Sequence, residues 1–532
     1  MTRRSPIAVI ILAAGSIKNK YKSFSFIYNS PALVPIASRS TISFILDFYE
    51  KRDVNIYIAI NREDEDLFRK ELLYYKNVVL LPIDSSRGVC DTLSQTINTV
   101  PEEDIIVNLA TTIPTKYASE DTIFIDDNLF NHNYYSGIVL KEGVASFKTK
   151  TDTGDQPFYA FTGVFRFRKQ HLSAALNKLN DSTDLLEVVK ELSFVRPLHF
   201  ETTDWIDTGH EINYADARRK LISSRSFNAI TVDNYTGILT KKSSNVEKLL
   251  QEIKYVNMLP SELQIQYPRI LPCDTSTGSV LMEYYGYPNL SEYQLYRSIE
   301  PLWWTRIFEG LGYSLQAMGR YRFSIGPKAF EQFYFHKTIR RVDDYLSGLP
   351  KDDIFITSET LVINGYSCAN ISSLKNDIAG RTKSLYREAD FCVMHGDFCF
   401  NNILFDTVSN TIKLIDPRGS FGEQCIGIYG DKKYDLAKLL HSTIGHYDYI
   451  VNNLFQVEQA GNEVSYSFPL RDNQAIIEAL SYELLQKMNA DKKDILFIVG
   501  LLFLSMCPLH TDNPQRQRLM YAHGLYFVNK NI

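Results

Sequence analysis

A short segment of the chain carries two carboxylates and an amide at spacings that suit phosphoryl-transfer chemistry. Asp397 precedes Asn402 by five positions, and Asp416 follows after a polar stretch. A carboxylate beside a bound hydroxyl can accept its proton. Magnesium takes oxygen ligands and is held by one or two carboxylates together with substrate phosphates. We therefore expect Asp397 to act as a general base, and Asn402 and Asp416 to hold Mg²⁺.

Two strand-like runs, Asn402–Asp406 and Ile412–Asp416, are expected to position these residues. The segment between them contains Ser409-Asn410, a typical turn composition. A β-hairpin that pairs symmetrically about Ser409 places Asn402 opposite Asp416. Directly opposed residues have Cβ atoms roughly 4.5–5.5 Å apart, so these two side chains can share one cation.

The motif His395-Gly-Asp-x-x-x-x-Asn402, followed by Ile415-Asp416, resembles the aminoglycoside phosphotransferase and choline kinase family, small-molecule relatives of protein kinases. The resemblance implies a two-lobed α+β kinase-like fold, with ATP as the phosphoryl donor. It makes Asp397 the catalytic base, Asn402 and Asp416 the magnesium ligands, and His395 a support for the loop. The alternative is an ordinary buried hairpin with an accidental His-Gly-Asp.

A lysine and a glutamate upstream fit the ion pair that positions ATP phosphates in kinases. Residues 227–232 and 237–242 predict an antiparallel hairpin that ends in Lys241-Lys242, and a helix with Glu252 follows over residues 246–258. We predict Lys242 as the partner of Glu252. Lys241 is the alternative, because strand alternation points the two lysines to opposite faces. Protein kinases carry a G-x-G-x-x-G motif before this lysine, whereas here Gly237 is the only glycine in the turn. The nucleotide phosphates must therefore be held differently, so GTP is not excluded as the donor.

Three further features resemble parts of the kinase-like site. The apolar run Val280–Gly286 predicts an interlobe hinge strand, which makes Glu283 a nucleotide-binding candidate. Arg418 follows the metal-binding Asp and is expected either to contact a phosphate or to anchor the loop. Asp435 is expected to cap a helix and brace the catalytic loop. The pair Trp303-Trp304 is expected in the core, with an aromatic cage for a cationic alcohol as the alternative.

The first 225 residues alternate strand-like and helical patterns, which predicts an α/β domain with a doubly wound, largely parallel sheet. The expected strands and helices are Ile7–Leu12, Thr41–Lys51, Asn55–Ile60, Asp64–Tyr74, Val78–Leu81 and Ile105–Leu109. Ligands of such sheets bind at the carboxyl ends of the strands. We therefore look for a site just after Leu12 and Leu109.

Several segments of this half resemble sugar-phosphate nucleotidyltransferases, which have a GT-A type fold. The matching segments are Leu12–Gly15, Pro31–Ile36, Arg87–Thr92, Phe158–Gly163 and Trp205–Gly209. The resemblance implies a nucleoside triphosphate (NTP) near Gly15, Arg87 and Gly88, and a metal at Asp207.

Two departures from that family predict a degenerate nucleotidyltransferase domain. The first loop carries Lys18, Lys20 and Lys22 in place of further glycine and an arginine. Lysines can neutralise a triphosphate, but as mobile point charges rather than rigid forks. Thr111 stands where the family carries a metal-binding Asp, which leaves Asp207 as the one candidate carboxylate. An active transferase is the alternative.

Length and composition limit the number of domains, the kinds of partner and the cellular compartment. A chain of 532 residues predicts two or more domains, and we place them at 1–225 and 226–532, with kinase lobes at 226–290 and 291–532. The net charge of −5 and the absence of a long basic block argue against a nucleic-acid partner. Seven scattered cysteines fit a reduced cytoplasmic compartment. The uncharged run 495–507 is too short to span a membrane and predicts a buried helix.

Together these patterns predict a Mg²⁺- and ATP-dependent kinase for a hydroxyl of a small metabolite, namely a sugar, polyol, hydroxy acid or aminoalcohol. A degenerate nucleotidyltransferase-like domain precedes it. The combination resembles bacterial capsule-biosynthesis proteins, which implies activated precursors for surface polysaccharide. The alternatives are a true bifunctional enzyme and a non-catalytic scaffold. The sequence predicts no oligomeric state.

Overall fold

Two compact units divide the chain, one of residues 1–222 and one of residues 223–532. The computed structural model describes residues 6–16, 30–36, 38–130, 134–141, 144–150, 152, 156–179, 184–221, 228–233, 235–272, 278–297, 299–422, 425 and 427–532. The predicted division between residues 225 and 226 lies outside the described residues.

The N-terminal unit alternates strands and helices. Its described strands are β1 (Ile7–Leu12), β2 (Pro35–Ile36), β3 (Arg39–Ser40), β4 (Val54–Asn61), β5 (Val78–Ile83), β6 (Asp104–Leu109), β7 (Thr112–Ile113), β8 (Thr122–Phe130), β9 (Gly137–Lys141), β10 (Val144–Lys148), β11 (Phe158–Arg168), β12 (His199–Thr203) and β13 (Ile206–Asp207). Its described helices are α1 (Thr41–Glu50), α2 (Glu65–Glu71), α3 (Val89–Ile97), α4 (Lys169–Leu176), α5 (Leu185–Ser193) and α6 (Glu211–Leu221).

The sheet of this unit has the order β10-β9-β11-β6-β1-β4-β5, with β8 beside β11 and β12 beside β8. The strands β6, β1, β4 and β5 run parallel, and β11 runs antiparallel to β6. Ala8, Ile10 and Leu12 of β1 pack on α3, α4 and α5. On the opposite face, the hydroxyl of Tyr49 in α1 donates to Asn108 of β6 over 2.9 Å. Helices therefore cover both faces, and the predicted α/β arrangement is confirmed. The sheet is mixed rather than largely parallel, because β11 runs antiparallel to β6, β8 and β9, and β10 runs antiparallel to β9.

The C-terminal unit begins with strands and continues mainly as helices. Its described strands are β14 (Asn228–Val232), β15 (Ile238–Ser243), β16 (Ile270–Leu271), β17 (Ser279–Glu283), β18 (Thr360–Ile363), β19 (Tyr366–Ala369), β20 (Phe391–Val393), β21 (Ile403–Asp406), β22 (Thr411–Leu414), β23 (Tyr429–Asp431), β24 (Gln456–Ala460) and β25 (Glu463–Ser467). Its described helices are α7 (Val246–Met258), α8 (Ser261–Gln264), α9 (Leu290–Leu295), α10 (Pro301–Gly319), α11 (Pro327–Glu331), α12 (Lys337–Ser347), α13 (Ile354–Thr357), α14 (Ile371–Leu385), α15 (Lys432–Thr443), α16 (Tyr447–Val451), α17 (Gln474–Lys487), α18 (Lys492–Met506) and α19 (Pro514–Asn531).

A four-stranded antiparallel sheet of order β14-β15-β17-β16 opens this unit. The side chain of Asn245 caps α7 by accepting the N–H of Lys248 over 3.0 Å. The helices that follow share one large apolar core, and residues 494–506 of α18 are all buried in it, as predicted. Within the described residues, no helix is long and apolar enough to cross a membrane.

Candidate functional site

The loop after β20 is held in place by a carboxylate of α15. The backbone N–H groups of His395 and Gly396 donate to the two oxygens of Asp435, each over 2.7 Å. Burial raises the pKa of Asp435 to about 7, although these N–H donors favour its ionised form. Asp435 braces the loop but does not cap α15. The cap is Asp431, whose side chain accepts the N–H of Lys433, because α15 begins one turn earlier than expected.

Gly396 allows the loop to approach the segment after the hairpin very closely. Its φ is +79°, in the left-handed region that favours glycine. A Cβ at this position would lie 2.7 Å from the Cβ of Arg418, whose backbone N–H donates to the carbonyl of His395 over 2.8 Å. This close approach keeps Arg418 beside the loop.

We expect Gly396→Ala to destabilise the C-terminal unit more than Gly365→Ala does. Gly365 also has a positive φ, +76°, but a Cβ there meets no atom within 4 Å. The control therefore costs about 1–2 kcal/mol for backbone strain alone, whereas Gly396→Ala adds a steric clash of about 1–3 kcal/mol. The measurement is the urea midpoint of each variant. Equal midpoints would contradict the close packing at Gly396.

Asp397 is held by one cation and one amide. Its Oδ1 atom lies 2.8 Å from Nζ of Lys438, and Nδ2 of Asn402 donates to its Oδ2 over 3.0 Å. Burial raises the pKa of the Asp397 carboxyl, but the positive charges of Lys438 and Arg418 outweigh burial and hold that pKa well below its ordinary value. Asp397 is therefore ionised at neutral pH.

Loss of the Lys438 charge should raise the pKa of Asp397. In Lys438→Met, burial of Asp397 is opposed by fewer positive charges, so its carboxyl carbon should titrate at a higher pH in an NMR titration. Lys432→Met is the matched control, because Lys432 lies on the same helix but pairs with Asp390 over 3.0 Å. An unchanged pKa of Asp397 in Lys438→Met would contradict the role of Lys438 in lowering it.

The hairpin register differs from the prediction by one residue. Asp406 pairs with Thr411 and Ile403 with Leu414, and the N–H of Ile415 donates to the carbonyl of Asn402 over 3.0 Å. Asn402 is therefore opposite Ile415, and its expected direct pairing with Asp416 is wrong. The turn contains residues 407–410, one fewer than symmetric pairing about Ser409 requires.

Asn402 and Asp416 still lie at the same end of the hairpin. Nδ2 of Asn402 bonds the backbone carbonyl and the carboxylate of Asp397, so the amide oxygen is the atom that can ligate a cation. Asp416 has a φ of +54°, which ends the strand geometry and re-aims its side chain. That side chain is 51% exposed, so a ligand can reach it from solvent.

Lys241, and not Lys242, forms the predicted ion pair. Its Nζ atom lies 2.5 Å from Glu252 of α7 and 2.8 Å from Asp416. In β15 the side chain of Lys241 is buried, whereas Lys242 is exposed on the opposite face. The prediction that Lys242 pairs with Glu252 is therefore wrong, and the alternative, Lys241, is the partner. The two carboxylates hold the pKa of Lys241 above its ordinary value although burial lowers it.

The remaining candidates of this unit lie around the loop. His395 is fully buried, stacks on Tyr267 with ring planes 15° apart, and accepts the N–H of Asp397 at Nδ1 over 3.2 Å. Burial lowers its pKa to about 4, so His395 is neutral. Glu283 lies at the end of β17, where its carboxylate accepts the hydroxyl of Tyr285 over 2.9 Å and the N–H of Arg269 over 3.1 Å.

The two tryptophans do not form a cage. Trp304 is fully buried, with its ring stacked on Phe400 at a centroid distance of 6.1 Å. Trp303 instead contacts the ring of Phe405. These contacts agree with the expected core packing.

The N-terminal candidates gather at one edge of the sheet. Gly15 follows β1, Arg87 and Gly88 follow β5, and Thr111 follows β6. Since these strands are parallel, their carboxyl ends meet at the same edge, as predicted. The side chain of Arg87 is 74% exposed. Lys18 and Lys22 lie outside the described residues.

Asp207 reaches the same edge through β13, where it pairs with Thr112. Its carboxylate accepts hydrogen bonds from the Tyr135 hydroxyl (2.8 Å), the Gly209 N–H (2.7 Å) and the Asn213 amide (2.6 Å), and His210 Nδ1 lies 2.8 Å away. Burial raises the pKa of Asp207, but these partners outweigh burial and lower it. Thr111 takes part through its carbonyl, which accepts the N–H of Thr208 over 2.9 Å.

Lys438 is a site residue that the sequence interpretation missed. It lies three positions after Asp435 on α15, so both side chains are on one face of that helix. The segment Asp435-Leu-Ala-Lys438 therefore contained the signal, because a residue three places beyond the loop-bracing carboxylate must also face the loop.

Three solved structures of known proteins align with about 40% of this chain, in its N-terminal part. No protein-family model and no curated protein sequence matches the chain. A structure from Bacillus anthracis described as a glucose-1-phosphate thymidylyltransferase is 14% identical with a TM-score of 0.35, over 41% of this chain and 96% of that chain. HddC from Yersinia pseudotuberculosis, complexed with GMP-PN, is 16% identical with a TM-score of 0.32, over 40% and 98%.

The 4-diphosphocytidyl-2C-methyl-D-erythritol synthase from Anaerococcus prevotii is 14% identical with a TM-score of 0.30, over 41% of this chain and 99% of that chain. The N-terminal part of the chain is thus similar to nucleotidyltransferase structures.

Proposed function

We propose that the C-terminal unit transfers a phosphoryl group from Mg-ATP to a hydroxyl of a small metabolite. The observation that carries the proposal is the position of Lys241. Its ammonium group contacts Glu252 of α7 and Asp416 after the hairpin, so the first sheet, its helix and the loop segment converge on one cation. A strand lysine fixed by a helix glutamate is the arrangement that positions ATP phosphates in kinases.

The oxygen ligands at the end of the hairpin fit a magnesium ion whose remaining coordination positions would be filled by substrate phosphates. Asn402 and Asp416 offer one amide oxygen and one carboxylate, and Mg²⁺ in phosphoryl-transfer sites is held by few protein ligands. The described residues contain no group of three or more His, Cys, Asp or Glu side chains arranged to hold a metal. When bound, Mg²⁺ neutralises charge on the phosphates.

Asp397 is the general base for the acceptor hydroxyl in this proposal. Its carboxylate is ionised because Lys438 and Arg418 lie beside it, and it accepts the hydroxyl proton of the acceptor as the new P–O bond forms. Asn402 fixes the rotamer of Asp397 by donating to Oδ2. Lys241 places positive charge near the donor phosphates, which is where a loose transition state gains most of its stabilisation. Contacts to the phosphates do not distinguish ATP from GTP, and the choice of ATP rests on the family resemblance.

A panel of acceptors tests this function. The full chain with Mg-ATP, and separately with Mg-GTP, is given sugars, alditols, hydroxy acids, choline and ethanolamine, and ADP or GDP is measured together with phosphorylated product. The proposal expects product with at least one class of acceptor. No product with any acceptor and either nucleotide would favour the scaffold alternative.

For the N-terminal unit we propose a nucleotidyltransferase fold that has lost its chemistry. The support is the state of Asp207, whose oxygens are taken up by Tyr135, Gly209, Asn213 and His210. Thr111 supplies no second carboxylate. A metal that must neutralise a departing pyrophosphate is poorly served by such a site.

The full chain should therefore release no pyrophosphate from CTP, GTP, UTP or dTTP, with or without the phosphorylated product of the C-terminal unit. Pyrophosphate release is measured by a coupled phosphate assay after pyrophosphatase treatment. Release that depends on the phosphorylated product would instead establish the bifunctional alternative, an enzyme that makes a nucleotide-activated building block.

The pairing of a proposed kinase with a nucleotidyltransferase-like unit supports a role in making activated precursors for surface polysaccharide. In such a reaction sequence the metabolite is phosphorylated before it is coupled to a nucleotide, and since we propose no transferase chemistry for the N-terminal unit, this chain would supply the phosphorylated intermediate. The proposed use of ATP and the scattered cysteines support a cytoplasmic location for this role.

A further inference from the structure

Basic side chains surround the ring of Tyr434, next to the loop that carries Asp397. Nζ of Lys337 and Cζ of Arg418 each lie 5.7 Å from the centroid of that ring, and Nη1 of Arg418 donates to the Tyr434 hydroxyl over 3.0 Å. Nζ of Lys337 also lies 3.4 Å from the ring centroid of Phe333. These cations are therefore held against aromatic faces.

We define the basic cluster as Lys337, Arg341 and Arg418. Tyr434 raises the pKa of Arg418, and Asp397 and Asp435 raise it further by their charge, but neither carboxylate is in direct contact with the cluster. Within the described part of the chain, none of the three forms an ion pair with a carboxylate. Arg341 lies one turn after Lys337 on α12 and donates to the carbonyl of Ser505 over 3.2 Å. Burial lowers the pKa of Lys337 well below its ordinary value, and the charges of Arg418 and Arg341 lower it further. A bound anion would relieve this repulsion.

The cluster lies close to Asp397, on the side of α15. Tyr434 and Lys438 are one turn apart on α15, so both face the same way, and Lys438 contacts Asp397 over 2.8 Å. Asp397 is therefore the carboxylate beside the basic cluster, but its direct ion-pair partner is Lys438. Lys241, which we assign to the nucleotide, is paired with Glu252 and Asp416 instead.

An irregular turn fixes Lys337 in this position. Residues Gln332–His336 form a π-helical turn between α11 and α12, with the N–H of Lys337 bonded to the carbonyl of Gln332. The ring of Phe333 in this turn stacks on Phe421 at a centroid distance of 4.0 Å. Such turns occur frequently at functional sites, because they shift one residue out of the helical repeat. Here the turn holds a lysine over an aromatic ring instead of releasing it to solvent.

We propose that the acceptor substrate is an anion, a hydroxyl compound with a carboxylate or phosphate group that binds Lys337, Arg341 and Arg418 while its hydroxyl meets Asp397. The inference rests on the proposed phosphotransferase function and names its substrate class. Guanidinium groups bind both anions in a bidentate manner. Cationic acceptors such as choline are disfavoured, because they would place a further positive charge beside the guanidinium groups of Arg341 and Arg418.

Matched acceptors test the proposal and separate the two anions. The pairs are glycerate with glycerol, gluconate with sorbitol, and glycerol 3-phosphate with glycerol, and choline represents the cations. We expect kcat/KM at least about 10-fold higher for the preferred anion than for its neutral partner, as one charged hydrogen bond supplies. Preference for glycerate and gluconate identifies a carboxylate, and preference for glycerol 3-phosphate a phosphate. Faster turnover of a neutral or cationic acceptor would overturn the proposal.

Lys337→Met should raise KM for the preferred anion about 10- to 100-fold and leave KM for ATP unchanged. Arg340→Gln is the matched control, because Arg340 is exposed on the same helix and its replacement removes the same charge. Arg341→Gln serves as the second variant if Lys337→Met unfolds. A rise in KM for ATP rather than for the acceptor would assign the cluster to the nucleotide and overturn the inference.

Calorimetric titration of the full chain with glycerate, gluconate and inorganic phosphate separates the two levels of the argument. Anion binding that Lys337→Met abolishes, with no phosphoryl transfer to any acceptor, would refute the proposed function but support the anion site. Phosphoryl transfer to neutral acceptors, with no anion binding, would refute the anion site alone.

Discussion

Asp397→Asn lowers kcat for phosphoryl transfer by about 10²- to 10⁴-fold, the range that loss of a general base produces. The substitution keeps the size of the side chain but removes the charge that accepts the hydroxyl proton. It also replaces an ion pair with Lys438 by a neutral contact. The measurement is the single-turnover rate of phosphorylated product at saturating ATP and acceptor.

The control is Asp406→Asn in the turn of the same hairpin. The Asp406 carboxylate accepts the N–H of Val408 over 3.2 Å and the N–H of Ser409 over 3.0 Å, a local role that an amide oxygen can partly fill. We expect its rate to stay within about 3-fold of the wild type. An Asp397→Asn rate as high as that of the control would remove Asp397 from the role of base.

Lys241→Met lowers kcat/KM for ATP by about 10²-fold or more, whereas Lys242→Met changes it by less than about 2-fold. The two lysines are neighbours in one strand, so each variant removes the same charge. Only Lys241 is buried and paired with Glu252 and Asp416. The measurement is the initial rate as a function of ATP concentration at saturating acceptor.

The loss in Lys241→Met has a structural part that the experiment must separate. Removal of the lysine leaves Glu252 buried without its cation, which costs about 3–5 kcal/mol of stability for a buried pair. Thermal unfolding of both variants shows the temperature below which each is folded, and rates are compared there. Equal losses in the two variants would contradict the pairing of Lys241 with the nucleotide.

Residue periodicity was sufficient to predict the four neighbouring parallel strands β6, β1, β4 and β5 of the N-terminal sheet, but not the five strands β8 to β12 that extend it. Apolar runs bounded by turns gave β1 with its observed bounds and placed β4, β5 and β6 within two residues. The same argument placed Gly15 and Thr111 at one edge, because parallel strands end together. Periodicity also predicted the buried helix α18, since an uncharged run of thirteen residues is too short to span a bilayer.

The errors arose where a single residue decides the geometry. The run Ile-Leu-Thr-Lys-Lys of β15 has no polar–apolar alternation, so the sequence does not tell which lysine faces inwards. Packing against α7 decides it. The hairpin register depends on a turn with Asn410 at a φ of +53°, and a turn one residue shorter shifts the opposed pairs.

The basic cluster could not be predicted from the sequence, for a different reason. Lys337 and Arg418 are 81 positions apart in the chain and meet only because both lie against Tyr434. Nothing local in the sequence marks such a long-range meeting. Lys438 differs, because its spacing from Asp435 placed it on the loop-facing side of a helix.

The most direct test of the phosphotransferase site is phosphorus NMR of the full chain incubated with Mg-ATP and the acceptor panel. We predict that a new phosphomonoester resonance grows as ATP is converted to ADP, that chelation of Mg²⁺ stops it, and that Asp397→Asn does not produce it at a comparable rate. Conversion of ATP only to ADP and inorganic phosphate in the presence of every acceptor, or an equal phosphomonoester signal from Asp397→Asn, would contradict the account.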